Sequence, residues 1–238
     1  MEPILLYGFP LGSSMGLVAA LEQLGQPYRL SRVDMLVDMA TDAYGRINDR
    51  RETPVLITDD GRVLTETMAI AGWLEARDTQ RRISYAPGTP DADRMHQIMA
   101  FVNTGFTGSF SPLWTALEMK NPDPATLEIL RAHGRKSVIS RHARLEAMIA
   151  DTPFLVGNKL TLADTTLIGV ARWAEFHDAV DPAAYPKLTA LRRRIEAEPA
   201  VRFAQAIEDG QTPAGSGACK GHVPLAEVIE RFGARRAA

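Results

Sequence analysis

The sequence predicts an α/β domain followed by an all-α domain, and three observations carry that expectation. Over residues 1–80 short apolar runs alternate with stretches of helical periodicity. A stretch rich in Pro, Gly and Asp then interrupts the pattern, and beyond it every periodic segment is helical. The chain has 238 residues, 45% hydrophobic and 24% charged, enough for one large domain or two small ones with a real core.

Each element follows from local pattern. PILLYG is a short strand, and MGLVAALEQLG has apolar residues at helical spacing, stopped by Gly25. YRLSRVDM alternates as a second strand, and VDMATDAYGRI reads as a short helix. TPVLITDDGRVLTE is a hairpin turning at DDG, and TETMAIAGWLEAR is a helix opening on a Thr/Glu cap. The order over 1–80 is β-α-β-α-β-β-α. Residues 81–90 form the linker, with breakers running on through APGTPDAD at 86–93. Residues 91–210 form the helical domain, with periodicity at 91–118, 124–150, 161–178 and 187–209, interrupted by Pro122, Pro124, Pro153, Pro182 and Pro199. Residues 211–238 are an extension: DGQTPAGSGACKGH is polar and Gly-rich, and VPLAEVIERFGARR predicts one short amphipathic helix, docked on the body or folded as a lid over a cleft.

Composition excludes several classes. A net charge of −2 gives no reason to expect nucleic acid. The single cysteine, Cys219, allows no intrachain disulfide and no cysteine-based metal site. His133 and His142 are too far apart along a helix to make a zinc pair, so no metal is expected. There is no GxSxG, P-loop or GxGxxG motif. MEPILLYGFP lacks the grammar of a signal peptide and no run approaches a membrane span, so a cytoplasmic protein without membrane contact is expected. Cys219 and His222 share ACKGH, but a flexible tail is a poor place to preorganise a nucleophile and its base.

RETPVLITDDGRVLTETMAI, residues 51–70, offers a candidate site. Pro54 stands at a strand entrance, where it is either an ordinary trans edge proline or part of a cis Thr53–Pro54 bond that turns the polar groups of Thr53 toward a peptide-like ligand. Glu66 and Thr67 stand where a helix begins, with N–H groups that favour a carboxylate. Ser13 and Ser14 precede the first helix, either as caps or as hydroxyls facing a sulfur-bearing ligand.

LYGFPLGSSMGLVAALEQLG, TPVL, DDGRVLTETMAI and FLVGNKLTLADTTLIGVARWAEF resemble the glutathione transferase family, and bacterial beta-like members most closely. The last stretch carries a Thr161-x-x-Asp164 capping box similar to that of the family's helical domain. The resemblance runs from Ile4 to Asp209. It implies a thioredoxin-like domain joined to an all-α domain, a homodimer, glutathione as co-substrate, and detoxification chemistry on a small hydrophobic electrophile. It implies that the Thr53 backbone, before Pro54, pairs with the cysteinyl part of glutathione and that Glu66 and Thr67 hold its γ-glutamyl end. Ser13, with Ser14 second, would stabilise the thiolate by a charge-assisted hydrogen bond at a helix N-terminus.

The chain departs from the beta-like pattern in three ways. Serine stands where those members often have a cysteine, which argues against cysteine-based redox chemistry. Thr107 and Gly108 replace a His-Lys pair, and a lysine is missing near Asp38. Asn103, Thr104 and Thr107 are polar substitutes in sequence, and Arg50 or Arg51 would stand near the glycine end. The electrophile would meet Phe9, Phe106, Phe110, Leu113, Trp114 and Met119, each of which also reads as core. Two rivals remain: a binding or scaffold protein that kept the fold, and a glutathione-linked disulfide reductase or peroxidase.

Overall fold

The computed structural model describes residues 1–233. Its sheet contains β1 (Ile4–Phe9), β2 (Tyr28–Asp34), β3 (Val55–Ile57), β4 (Val63–Thr65) and β5 (Cys219–His222), in the order β4-β3-β1-β2-β5. β1 runs parallel to β2 and antiparallel to β3, and β4 returns antiparallel on β3. This mixed sheet with its helices is the thioredoxin-like arrangement, joined to a helical domain. β1 is central, so ILLYGF is apolar on both faces rather than alternating. Leu5 and Tyr7 enter one hydrophobic cluster and Ile4 and Leu6 the other, as the period of two requires.

On the inner face lie α1 (Met15–Leu24) and α3 (Thr67–Arg77). α1 is buried almost all round, because the sheet covers one side and the helical domain the other. It ends at Gly25, whose left-handed φ of 73° lets its N–H return to Leu21 O. The expected helix at VDMATDAYGRI shrinks to one turn, α2 (Asp42–Gly45), capped by the Thr41 hydroxyl.

The helical domain comprises α4 (Pro90–Ala100), α5 (Ser111–Glu118), α6 (Pro124–Met148), α7 (Leu162–Ala171), α8 (Trp173–Phe176), α9 (Pro186–Glu196) and α10 (Pro199–Glu208). The helix expected over 91–118 is interrupted by a π-helical turn at Phe101–Phe106. Pro199 divides the one expected over 187–209, standing instead in the first turn of α10. Asp164 forms the expected box: one oxygen accepts from the Thr161 N–H and hydroxyl, both at 2.8 Å, and the other from Leu155 N–H at 2.8 Å. α1 packs on α7 and α10, and two glycines set the α1–α7 spacing. A Cβ on Gly16 would stand 2.0 Å from Thr165 O, and one on Gly169 2.3 Å from Ser13 O. The two domains meet backbone against backbone there.

The extension is built into the sheet. β5 pairs parallel with β2, with Tyr28 N–H donating to Ala218 O at 3.1 Å and Val223 N–H to Leu30 O at 2.8 Å. Glu22, buried in α1, receives the Ser216 N–H. α11 (Leu225–Phe232) then lays Val228, Ile229 and Phe232 against Ile4, Leu6, Val33, Tyr44, Val55 and Ile57. This corrects two expectations. DGQTPAGSGACKGH contains a strand, and α11 covers the outer face of the sheet rather than a ligand cleft.

Candidate active site

The sequence-predicted residues converge at the C-terminal end of β1. The antiparallel register places Thr53 beside Gly8: Leu6 pairs with Val55, and a Cβ on Gly8 would lie 2.5 Å from both Thr53 Oγ1 and Met35 Sδ. Val55 pairs in turn with Thr65, so Glu66 and the start of α3 follow at the same end. From the other side, Ser14 Oγ accepts the Gly8 N–H at 2.9 Å, which seats the start of α1 on β1. Gly8 is therefore where the three segments meet, and only glycine fits between them.

The Thr53–Pro54 bond is cis, as is Phe9–Pro10. Thr53 Oγ1 donates to Met35 Sδ at 3.5 Å, so its side chain is engaged within the fold. Glu66 adopts φ 71°, and its carboxylate does not cap α3. It instead receives Arg50 at 2.8 Å, while a second guanidinium nitrogen of Arg50 binds Glu52 at 2.8 Å. Arg50 thus bridges two carboxylates at the surface, its own side chain 58% exposed. Arg51 serves the Asp42 carboxylate and Ala40 O.

The two serines separate. Ser14 is fully buried, with its oxygen already accepting from Gly8, so it is a structural residue of the turn and is closed to a ligand. Ser13 is half-buried, and no side-chain hydrogen bond ties its hydroxyl down among the described residues. Neither serine caps α1 through its side chain. Tyr7 is also close by, but its hydroxyl lies 3.1 Å from His222 Nε2 and 3.4 Å from Ile207 O, and burial pushes its pKa to about 12.

Of the apolar residues expected to meet an electrophile, Phe106 and Phe110 are fully buried and Leu113 nearly so; these are core. Met119 is exposed. Trp114 stands edge-on to Trp173 with ring centres 5.4 Å apart and stacks on Phe176 at 5.4 Å and 21°. His177 lies 4.4 Å from Trp114, and burial holds it below the usual histidine range. Trp173 Nε1 donates to Leu11 O at 2.8 Å, so this aromatic group reaches the turn before Ser13. Among the described residues, only Thr107 of the polar substitutes is engaged within the fold, and so is Asp38, where the lysine is missing. Thr107 Oγ1 is spent on Val102 O at 2.9 Å, and an Asp38 oxygen accepts the Asp34 N–H at 2.7 Å.

Cys219 is half-buried, and burial pushes its thiol up, the wrong direction for a nucleophile. Among the described residues no cluster of His, Cys, Asp and Glu could hold a metal, and no helix is long and apolar enough to cross a membrane. A concavity of about 650 Å³ lined by Pro3, Leu21, Trp73 and Arg77 lies toward the other end of the sheet, away from these residues.

The family model described as "Glutathione S-transferase, N-terminal domain" matches residues 14–77, and that described as "Glutathione S-transferase, C-terminal domain" matches residues 114–199. The chain belongs to the glutathione S-transferase family. Among curated proteins it is similar to the glutathione S-transferase GstA of Escherichia coli O157:H7, at 23% identity over 205 residues, covering 85% of this chain and 98% of that protein. Among solved structures it is similar to a sphingomonad glutathione S-transferase complexed with glutathione, at 27% identity and a TM-score of 0.74, covering 87% of this chain and 98% of the other. It is equally similar to a ternary complex of BphK, a bacterial enzyme of the family, at 27% identity and a TM-score of 0.74, covering 87% and 99%. The family is one of enzymes, and its two-domain architecture is the one described above. Sequence reasoning passed over Gly8, and also Arg172 and Glu208, which bind the Gly12 O and N–H at 2.9 and 3.0 Å. Their roles arise from register and from contacts across more than a hundred residues, for which no local pattern exists.

Proposed function

We propose that this glutathione transferase binds glutathione across the C-terminal end of β1 and presents its sulfur to the start of α1. The γ-glutamyl carboxylate is met by the N-terminus of α3 and the Thr67 hydroxyl, and its ammonium by the Glu66 carboxylate. The cysteinyl part pairs with the backbone of Thr53. Ser13 donates to the thiolate, favouring the ionised form, and the thiol proton leaves to solvent. The thiolate then forms a C–S bond with an apolar electrophile, by addition or with departure of a leaving group. Phe9, Trp114, Trp173 and Phe176 form the wall that receives it. Positioning and thiolate stabilisation supply the acceleration. The reading is supported chiefly by Ser13, whose hydroxyl makes no side-chain hydrogen bond among the described residues and which adjoins Ser14, the residue seated on Gly8 where Thr53 also meets β1. A homodimer in the cytoplasm completes it.

The test is a pH titration of the ultraviolet thiolate absorbance of glutathione mixed with the protein. Thiolate should form well below the value of about 8.5 typical of a free thiol, and Ser13→Ala should return it toward that value. Unshifted titration with measurable binding would remove the assignment of Ser13. A second reading, a binding protein that kept the fold without the chemistry, is favoured by the commitment of Thr107 and Asp38 to internal hydrogen bonds. Absence of glutathione binding would select it. Turnover of a glutathione-linked disulfide or peroxide instead of an electrophile would select the reductase or peroxidase alternative.

A further inference from the structure

We propose that Glu208 and Arg172 are positioning residues for the thiol end of the site, holding the Leu11–Ser13 turn in place from the helical domain. The proposal rests on the glutathione reading of that turn.

Gly12 cannot be held by a side chain. A Cβ there would stand 2.2 Å from Gly8 O, so the close approach of the turn to β1 requires glycine. What can be held is its backbone, and both polar groups flanking that residue are engaged from far along the chain. Gly12 N–H donates to Glu208 Oε1 at 3.0 Å, and Arg172 Nη2 donates to Gly12 O at 2.9 Å. The same Nη2 lies 2.8 Å from Glu208 Oε1, and Nη1 binds Oε2, closing a fork on the carboxylate. One residue earlier, Leu11 O receives the indole N–H of Trp173.

The pair is itself fixed. Its side chains are 19% and 6% exposed for Arg172 and Glu208. Arg172 stands at the junction of α7 and α8, and Glu208 closes α10. Arg32 of β2 donates to Glu208 O at 2.9 Å and stacks over Phe9, with its guanidinium carbon 3.7 Å from the ring centre. A buried ion pair is costly to desolvate and contributes little net stability, so a positional role accounts for it better than a stabilising one. Pairing also matters electrostatically. A lone carboxylate under this turn would oppose a thiolate, whereas the neutralised pair orients Gly12 without adding net charge.

The test compares Glu208→Gln, Glu208→Ala and Arg172→Lys with the parent. Gln keeps an oxygen for the Gly12 N–H but weakens the fork; Ala removes both. With an activated aryl halide as electrophile, kcat should fall about tenfold for Gln and about a hundredfold for Ala. KM for glutathione should stay within about threefold, because Thr53, Glu66 and Thr67 hold the other end. In the ligand-free protein, amide hydrogen exchange of residues 10–16 should rise in Glu208→Gln and Arg172→Lys, with no matching rise in α6. Partial rescue by Gln over Ala would separate positioning from simple destabilisation. Unchanged exchange of residues 10–16 in Glu208→Gln, or a fall in kcat no larger than the measured loss of folded protein, overturns the proposal. If the parent fails to turn over glutathione, the glutathione reading falls, and the exchange experiment still decides whether Glu208 and Arg172 hold the turn.

Discussion

The two faces of the sheet are closed in different ways. The inner face shares one large hydrophobic cluster with the helical domain: Leu5, Tyr7, Leu30 and Leu56 from the sheet join α1, α3, α7 and α10. The outer face carries a small cluster, closed by Val223, Val228, Ile229 and Phe232 of the extension. Buried carboxyl and imidazole groups divide unevenly too. Glu22, Asp78, His142, Asp164 and Glu208 all lie on the inner side or in the linker and helices beyond it. The inner face thus combines packing with polar positioning, and its turn at Gly12 serves the site. The outer face is closed mainly by apolar burial, with the Tyr44 hydroxyl donating to Glu52 O at 2.8 Å at its edge. The matched solved structures, themselves almost fully covered, leave about an eighth of this chain without a counterpart, and the family models end at residue 199.

The largest test of that contrast removes residues 211–238. Four apolar side chains leave the outer cluster, each worth about 1.5–3 kcal/mol when fully buried. Their sum is comparable with the whole stability of a domain, about 5–15 kcal/mol. The truncated chain should therefore fail to fold stably, seen as loss of the cooperative thermal transition and rapid proteolysis. A stable truncated protein would show instead that the outer face can be left uncovered without loss of the fold.

A smaller effect belongs to the inner face. Gly169→Ala places a methyl 2.3 Å from Ser13 O, so α7 must move from α1. A cost of about 1–3 kcal/mol is expected from such overpacking, together with loss of thiolate stabilisation, because the displaced residue is Ser13 itself. Denaturant unfolding and the thiolate titration check the two parts separately. A stability loss with an unshifted titration would mean that the turn is insulated from α7.

Much of this architecture was legible beforehand. Strands β1 to β4, helices α1 and α3, and the Thr161–Asp164 box each carry a local pattern: apolar runs, a turn at DDG, and a cap at fixed spacing. Thr53, Glu66 and Thr67 could be placed together because hairpin register is a local property. β5 could not be foreseen. CKGH has neither alternation nor β-branched residues, and it is a strand only because β2 offers a free edge there. Local pattern does not separate Ser13 from Ser14, which only the family resemblance ranks; the Gly8 N–H, six residues away, engages Ser14 and leaves Ser13 without a side-chain hydrogen bond among the described residues. Arg172 and Glu208 read as ordinary charged residues near helix ends, and only their meeting at Gly12 gives them a role.

The polar character of the inner side also predicts a pH dependence that the outer cluster should lack. His142 of α6 is 3% exposed, with its Nδ1 2.9 Å from Val138 O and its ring 4.7 Å from that of Phe106. Burial lowers its pKa from 6.5 to about 4. Because the folded value is the lower one, the unfolded chain takes up the proton first. Stability from this group is present above pH 6.5 and is lost as pH falls through the interval down to about 4. Between pH 7 and pH 5 the loss should be about 2 kcal/mol. His142→Leu removes the titration, so its stability should fall less than the parent's over that interval, whatever its stability at pH 7. Urea unfolding of both proteins at the two pH values measures the difference directly. Equal slopes would mean that His142 accepts its proton inside the fold, and that the helical core is more open to water around α6 than its packing implies.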